Sequence, residues 1–87
     1  MARYELRFKP SVARDLRGIP RADVRRILAR METLRDLPRP PGSEKLSALE
    51  RYRLRQGNYR ILYTVADADL AVEVVKVGHR RDVYRET

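Results

Sequence analysis

Residues 51–77, RYRLRQGNYRILYTVADADLAVEVVKV, decide the fold, because they carry the pattern of a β-hairpin followed by a further strand. In the first part of this stretch, Tyr52 and Leu54 alternate with arginines, which predicts a half-buried strand. The arginines on the polar side of this strand are Arg51, Arg53 and Arg55. Gly57 and Asn58 follow, and these residue types favour the tight turn of a hairpin.

The rest of this stretch predicts two more strands. Tyr59–Val65 forms the return strand of the hairpin. Asp67 and Asp69 are typical of the next tight turn rather than of a metal site. Leu70–Val77 is almost entirely apolar, as expected for a strand at the centre of a sheet, and Gly78 ends it.

The sequence before residue 51 predicts one strand and two helices. Tyr4–Phe8 alternates in the manner of a half-buried strand. A short helix covers about Ser11–Arg17, and a longer one covers about Pro20–Leu37. The prolines of residues 38–42 then break the chain into a loop. The apolar residues of the longer helix recur at spacings of three and four, at Val24, Ile27, Leu28, Met31, Leu34 and Leu37.

These elements follow one another in the order β-α-α-β-β-β. A helical hairpin that is apolar on one side needs a sheet face to bury it, which predicts an α+β fold in the form of a two-layer sandwich. We expect a small, four-stranded and mainly antiparallel sheet. Residues 1–87 are too few for two hydrophobic cores, so the chain is expected to form a single domain.

The composition is strongly basic. Twenty Lys and Arg residues against twelve Asp and Glu give a formal net charge of +8, and seventeen of the twenty are Arg. A basic surface attracts polyanions, and the planar arginine fork binds phosphate through two hydrogen bonds. A general bias of composition explains the arginines of the predicted helices equally well.

Several classes of chemistry find no support in the sequence. There is no cysteine and only one histidine, so thiolate catalysis and the usual His/Cys metal constellations are excluded, and we expect neither a metal nor another cofactor. The charged start MARYELRFKP lacks the pattern of a signal peptide, and no apolar run approaches the length of a membrane span. We therefore expect a cytoplasmic protein without a membrane partner.

The second half of the chain gathers basic residues. Arg60 lies on the return strand of the hairpin, on the polar side, so Arg53 or Arg55 is expected to lie near it. Four like charges on one sheet face repel one another, and an anionic ligand would relieve that repulsion. The alternative is a solvated edge face without a ligand. The last residues add further polar groups, namely His79, Arg80, Arg81, Tyr84 and Arg85.

Two motifs resemble the RelE/ParE superfamily, the toxin half of bacterial toxin–antitoxin pairs, and the resemblance extends over essentially the whole chain. YRILY at 59–63 is similar to the family's Y-R-[LIV]-[LIV]-Y strand, and VGHRRDVY at 77–84 is similar to its V-G-H-R-x-D-[VI]-Y ending. Lys45 and Leu46 also match the family's K-L before the first arginine strand. The resemblance implies a RelE-type endoribonuclease that cuts mRNA in the ribosomal A site, touches rRNA, and is silenced by a cognate antitoxin.

The resemblance also implies roles for individual residues. Arg60 and Arg80 would stabilise the transition state, Tyr84 would orient a base or assist proton transfer, and His79 stands where relatives carry a basic or imidazole group. The residues expected to bind RNA are Arg51, Arg53, Arg55, Lys45 and Arg81. Well-studied relatives have lysines at the positions of Arg53 and Arg55.

That difference leaves the general base open, because an arginine does not release its proton at ordinary pH. His79 has a suitable intrinsic pKa, and Glu44 is a second candidate because some relatives use a carboxylate in this loop. Two other functions stay open at this point. One is a ParE-like inhibitor of DNA gyrase, and the other is a catalytically weak basic binding protein of the same fold.

Overall fold

The computed structural model describes residues 3–46 and 51–82. Within this part of the chain, five strands and two α-helices follow one another. The elements are β1 (Glu5–Phe8), α1 (Pro10–Arg17), α2 (Arg21–Glu32), a 3-10 turn (Thr33–Arg35), β2 (Ser43–Leu46), β3 (Arg51–Gln56), β4 (Tyr59–Ala66) and β5 (Ala71–His79). None of these helices has the length and apolar character needed to cross a bilayer.

The five strands form one sheet in the order β1-β5-β4-β3-β2. β1 pairs with β5 in parallel, and all other pairs are antiparallel. The α+β class and the two layers agree with the prediction, whereas the sheet has five strands instead of four. The additional strand is β2, whose sequence SEKL is too short and too polar to show a period; its pairing with β3 alone makes it a strand.

The longer helix ends earlier than its apolar spacing indicates. α2 stops at Glu32, and the chain continues as a 3-10 turn rather than as α-helix to Leu37. The hydroxyl of Thr33 donates a hydrogen bond of 2.6 Å to the carbonyl of Arg30, which offers the backbone an alternative partner near the helix end. Pro38 also disfavours helical geometry at Leu37. Leu37 consequently leaves the apolar side and is 52% exposed.

The core lies between the helices and one face of the sheet. Helical residues Val12, Ile27 and Met31 pack in one buried cluster with sheet residues. The sheet contributes Leu54, Ile61, Tyr63, Val72, Val74 and Val77 to this cluster. We call this surface of the sheet the helix-covered face. At the 25 cal/mol per Å² typical of buried apolar surface, each such side chain stabilises the fold by about 1.5–3 kcal/mol.

The opposite surface, which we call the open face, carries the arginines. Since side chains alternate along a strand, Arg51, Arg53 and Arg55 lie on the side away from Leu54. Leu62 and Val75 form a small second buried cluster with Leu46 packed against it. The open face therefore consists of a short apolar cluster and a larger basic part.

A helix covers the edge of the sheet where β1 ends. β1 pairs only with the first part of β5, up to Val74. Beyond that point the backbone N–H of Val77 donates to Oδ2 of Asp15 on α1, at 3.1 Å. Asp15 thus supplies the partner that a neighbouring strand would otherwise give, and it fixes the end of β5 before the chain reaches His79.

Candidate functional site

A pocket of about 210 Å³ lies on the open face. It is lined by Gly42, Glu44, Arg53, Arg55 and Arg60. Three cations and one carboxylate thus converge on a space large enough for a phosphate group. Such an arrangement binds anions, because arginine forks match the geometry of phosphate oxygens.

The strand register brings these side chains together. Glu44 on β2 lies opposite Arg53 on β3, and Arg55 lies opposite Arg60 on β4. Directly opposed residues of an antiparallel pair have Cβ atoms about 5 Å apart. The register thus places Arg55 directly opposite Arg60, as the hairpin predicts.

Arg60 is the most buried cation of the pocket, with only 8% of its surface exposed. Its Nη1 donates to the carbonyl oxygens of Gly57 and Tyr59, at 3.2 and 2.9 Å. These two bonds hold the guanidinium against the hairpin turn. A charged group fixed in this way keeps its orientation when an anion enters, so it loses little conformational entropy on binding.

Glu44 and Arg53 form a short ion pair. Nη2 of Arg53 lies 2.6 Å from Oε2 of Glu44, and the two side chains are 21% and 62% exposed. Both residues line the pocket. This places a proton acceptor beside the cations that would hold a phosphate.

A network of polar contacts holds the loop that ends in Gly42. Arg39 donates two hydrogen bonds to Asp67, at 2.8 and 3.3 Å, and one of 2.9 Å to the hydroxyl of Tyr52. The hydroxyl of Tyr4 also donates to Asp67, at 2.7 Å. The bonds from Arg39, and then that from Tyr4, hold the pKa of the Asp67 carboxyl below its usual range. The same loop is held by Tyr63, whose hydroxyl donates to the carbonyl of Pro38 at 2.7 Å.

His79 does not join the pocket. It lies opposite Tyr59, with the two rings edge to face at 5.8 Å, whereas Arg60 lies opposite Gly78. Alternation along β4 and β5 thus puts His79 on the other face from Arg60. Its Nδ1 accepts the backbone N–H of Arg81 at 3.3 Å, so the neutral ring carries its proton on Nε2 and presents a donor there. This geometry does not suit a general base at the pocket.

Two of the expected RNA-binding residues also lie elsewhere. Arg51 is on the open face but lines a different cavity, together with Arg14 and Lys76. Lys45 lies opposite Tyr52 in the register, and Tyr52 stacks on Tyr63 of the helix-covered face. The side chain of Lys45 therefore lies on the other side of β2 from Glu44.

The tail begins beside the hairpin turn. The backbone N–H of Arg80 donates to the carbonyl of Asn58 at 2.8 Å. The preceding residue, Gly57, accepts a hydrogen bond from Arg60 through its carbonyl. The side chains of Arg80 and Arg81 are exposed. Tyr84, which is expected to be catalytic, lies outside the described residues.

Some residues of the site have no signal in the sequence. Gly42 forms part of the pocket wall and has φ = +93°, a conformation that glycine adopts readily. Asp15 acts on β5 from 62 residues away, so local pattern cannot reveal it. Arg39 and Asp67 are 28 residues apart and meet only in the fold. Among the described residues, no group of three His, Asp or Glu side chains is placed to bind a metal ion.

Comparisons with known proteins find relatives over most of the chain. The family model for the ParE toxin of the type II toxin–antitoxin system parDE matches residues 6–84. The chain is 35% identical to toxin RelG of Mycobacterium tuberculosis, over 94% of this chain and 97% of that protein.

Solved structures with the same fold include toxin–antitoxin complexes. The RelBE2 complex of M. tuberculosis has a TM-score of 0.80 at 26% identity, covering 90% of this chain and 99% of that chain. The RelE–RelB complex of the archaeon Pyrococcus horikoshii has a TM-score of 0.80 at 28% identity, covering 91% and 97%.

Proposed function

The chain belongs to the RelE/ParE family of toxins from type II toxin–antitoxin systems, and on that premise we propose that it is an endoribonuclease that cuts mRNA in the ribosomal A site. The observation that carries the proposal is the pocket that Arg53, Arg55 and Arg60 line together with the carboxylate of Glu44. This combination provides both phosphate binding and a proton acceptor. Because its targets are mRNA and rRNA in translating ribosomes, the proposed location is the cytoplasm, and the proposed silencing partner is a cognate antitoxin.

The proposed reaction uses the 2′-hydroxyl of the RNA as the nucleophile. A base removes its proton, the 2′-oxygen forms a bond to the adjacent phosphorus, and the bond from phosphorus to the 5′-oxygen breaks. The leaving 5′-oxygen takes up a proton. The products are a 2′,3′-cyclic phosphate and a 5′-hydroxyl end. No other reactant enters this step.

The arginines act on the charge that develops at phosphorus. The pentacoordinate transition state carries more negative charge on its oxygens than the ground state, so cations placed beforehand lower the barrier. Arg60, which two carbonyl oxygens orient, takes this role together with Arg80. Arg53 and Arg55 hold the phosphate, and Tyr84 stacks on a base or assists proton transfer.

Glu44 is the base that the geometry favours. It lines the pocket, whereas His79 lies on the other face with Nδ1 already accepting a hydrogen bond. Glu44 keeps its position through Arg53, at 2.6 Å. Since none of the pocket arginines releases a proton at ordinary pH, removing this carboxylate should slow the first step.

The experiment compares Glu44→Gln with a matched control, Glu32→Gln. Glu32 forms the same type of exposed ion pair, with Arg35 at 2.9 Å, but it lies on α2. Purified protein is added to a translating extract, and mRNA ends are mapped by primer extension. We expect cuts within codons, slowed by about 10²–10⁴-fold in Glu44→Gln and unchanged in Glu32→Gln. Arg60→Gln should slow cutting by about 10²–10³-fold. Normal cutting by Glu44→Gln would reject this carboxylate as the base.

One observation favours a second candidate function, the inhibition of DNA gyrase. The family model that matches residues 6–84 is that of the ParE toxin. A supercoiling assay with purified gyrase separates the two functions, because an endoribonuclease leaves supercoiling intact. Inhibited supercoiling without mRNA cuts would replace the first proposal, and the absence of both effects would leave a basic binding protein.

A further inference from the structure

A second basic cavity, of about 410 Å³, includes Arg51 of β3 among its lining residues. Three separate parts of the chain supply its cations. Lys9 directly precedes α1 and Arg14 lies on α1, whereas Arg51 comes from β3 and Lys76 from β5. The RelE/ParE resemblance alone assigns no role to Lys9, Arg14 or Lys76.

Among the described residues that line this cavity, there are four cations and one carboxylate. The carboxylate that lines it is that of Asp15, and Oδ2 of this residue already accepts the backbone N–H of Val77 at 3.1 Å. Lys9 and Arg14 are exposed and form no ion pair with any residue in the described part of the chain. Clustered cations of this kind raise the local potential and attract an anion from solution.

The cavity and the pocket lie along one strand. Arg51 and Arg53 point to the same side of β3, two residues apart, which corresponds to about 7 Å at the usual rise of a strand. Arg53 lines the pocket and Arg51 lines the cavity. A chain of phosphates held at Arg55 and Arg53 would therefore meet Arg51 next and then the cations of α1.

We propose that this cavity is a second phosphate site, which binds the backbone of the same single-stranded RNA next to the phosphate that is cut. The proposal rests on the proposed function, because it names a further part of that substrate. RNA is favoured over an acidic protein segment because Arg55, Arg53 and Arg51 follow one another at a regular step along β3 up to the cavity, as phosphates do along a backbone. Lys9 and Arg14 hold the substrate here and take no part in the bond-breaking step.

The test measures RNA binding by the full chain at several salt concentrations. The probes are two fluorescein-labelled 2′-O-methyl RNAs, which lack the nucleophile and are not cut. One is just long enough to fill the pocket, and the other also reaches the cavity. The double variant Lys9→Gln/Arg14→Gln is compared with Arg21→Gln/Arg25→Gln, which removes the same charge from exposed positions of α2.

We expect the Lys9/Arg14 variant to flatten the dependence of log affinity on log salt for the longer RNA. Each lost phosphate contact lowers the slope for a single strand by about 0.7. The shorter RNA should bind this variant as it binds the wild type, and the α2 control should flatten neither slope to this extent. The second site would be rejected if the two variants showed equal salt slopes with the longer RNA. It would also be rejected if the Lys9/Arg14 variant lost as much slope with the shorter RNA as with the longer one.

Two further results separate this proposal from its premise. Arg53→Gln should weaken the binding of both RNAs. If it weakens the binding of neither, the proposed function is rejected and the second site is rejected with it. If Arg53→Gln weakens both RNAs while Lys9→Gln/Arg14→Gln changes nothing, only the second site is rejected. If the Lys9/Arg14 variant loses affinity for purified cognate antitoxin but not for the longer RNA, the cavity binds protein instead.

Discussion

The two sides of β3, a strand of six residues, differ in burial and in charge. Leu54, on the helix-covered face, is completely buried within the core. Arg55, the next residue, lies on the open face, is exposed, and stands opposite Arg60. One side of the strand thus contributes to stability, whereas the other gathers like charges that a fold without a ligand would avoid.

This difference suggests how a chain of 87 residues maintains a charged site. In residues 3–46 and 51–82 the helices cover one face, so the core takes its apolar residues from that face and from α1 and α2. The open face then remains available for cations. Two of its arginines are held in place, Arg60 by backbone carbonyls and Arg53 by a carboxylate. The following predictions test this division between the faces.

The largest effect is expected on the helix-covered face. Leu54→Ala removes a side chain with 0% exposure and leaves a cavity between β3 and the helices. We expect the free energy of unfolding in urea to fall by about 2–5 kcal/mol. An effect below that of an ordinary surface substitution would show that the core does not depend on this side of β3.

A smaller effect is expected at Gly42, in the loop that precedes β2. Gly42 has φ = +93°, and a Cβ added there would lie 4.0 Å from Nη2 of Arg30. Gly42→Ala should therefore cost about 1–2 kcal/mol of stability through backbone strain rather than through a clash. Gly18→Ala is the control, since Gly18 has φ = −86° and its added Cβ would have ordinary van der Waals contacts. Equal denaturation midpoints for the two variants would contradict the strain.

On the open face, removing a side chain's charge should raise the stability of the fold rather than lower it. Arg55→Gln removes one of two directly opposed cations, so we expect it to stabilise the fold by about 0.2–1 kcal/mol. The gain should shrink as salt is added, because salt screens exposed charges. The same variant should bind RNA less tightly. A loss of stability at low salt would show that Arg55 has a structural role.

The smallest effect concerns the network that holds the loop. The pKa of Asp67 is lowered in the folded protein, mainly by Arg39, so its contribution to stability is present above the unfolded pKa of about 4 and is lost as pH falls towards the folded value. Asp67→Asn should remove this contribution. As the pH is lowered from about 6 to about 3, the melting temperature should fall less steeply in the variant than in the wild type. Parallel curves would show that the exposed pair is worth nothing measurable.

The sequence predicted most of the sheet because its signals are local. Alternation at residues 51–55 and 59–65 and the Gly57–Asn58 turn identify the hairpin without further information. The strand that was missed, Ser43–Leu46, has no period of its own and exists through its pairing with β3. The apolar strand β5 is interior, as its composition indicates, although β4 occupies the centre of the sheet.

The candidate site was predicted in part for the same reason. The proximity of Arg55 and Arg60 follows from the hairpin, which is a local structure. His79 was grouped with them because it is close in sequence to Arg80, but the alternation of β5 turns it to the helix-covered face. Arg51, although on the same side of β3 as Arg53, lines a different cavity together with residues of α1 and β5, which are far from it in sequence.

The sequence by itself determined the α+β class, the basic character and the row of arginines on one side of β3, because each depends on composition or on a repeat of two residues. Only the tertiary structure decided which carboxylate joins those arginines. Glu44 on β2 contacts Arg53 on the neighbouring strand β3, which no local pattern reveals, and Lys9 and Arg14 line one cavity with Arg51 because α1 packs against β5. Contacts between residues far apart in sequence depend on how the layers pack, and that is settled only when the whole core forms.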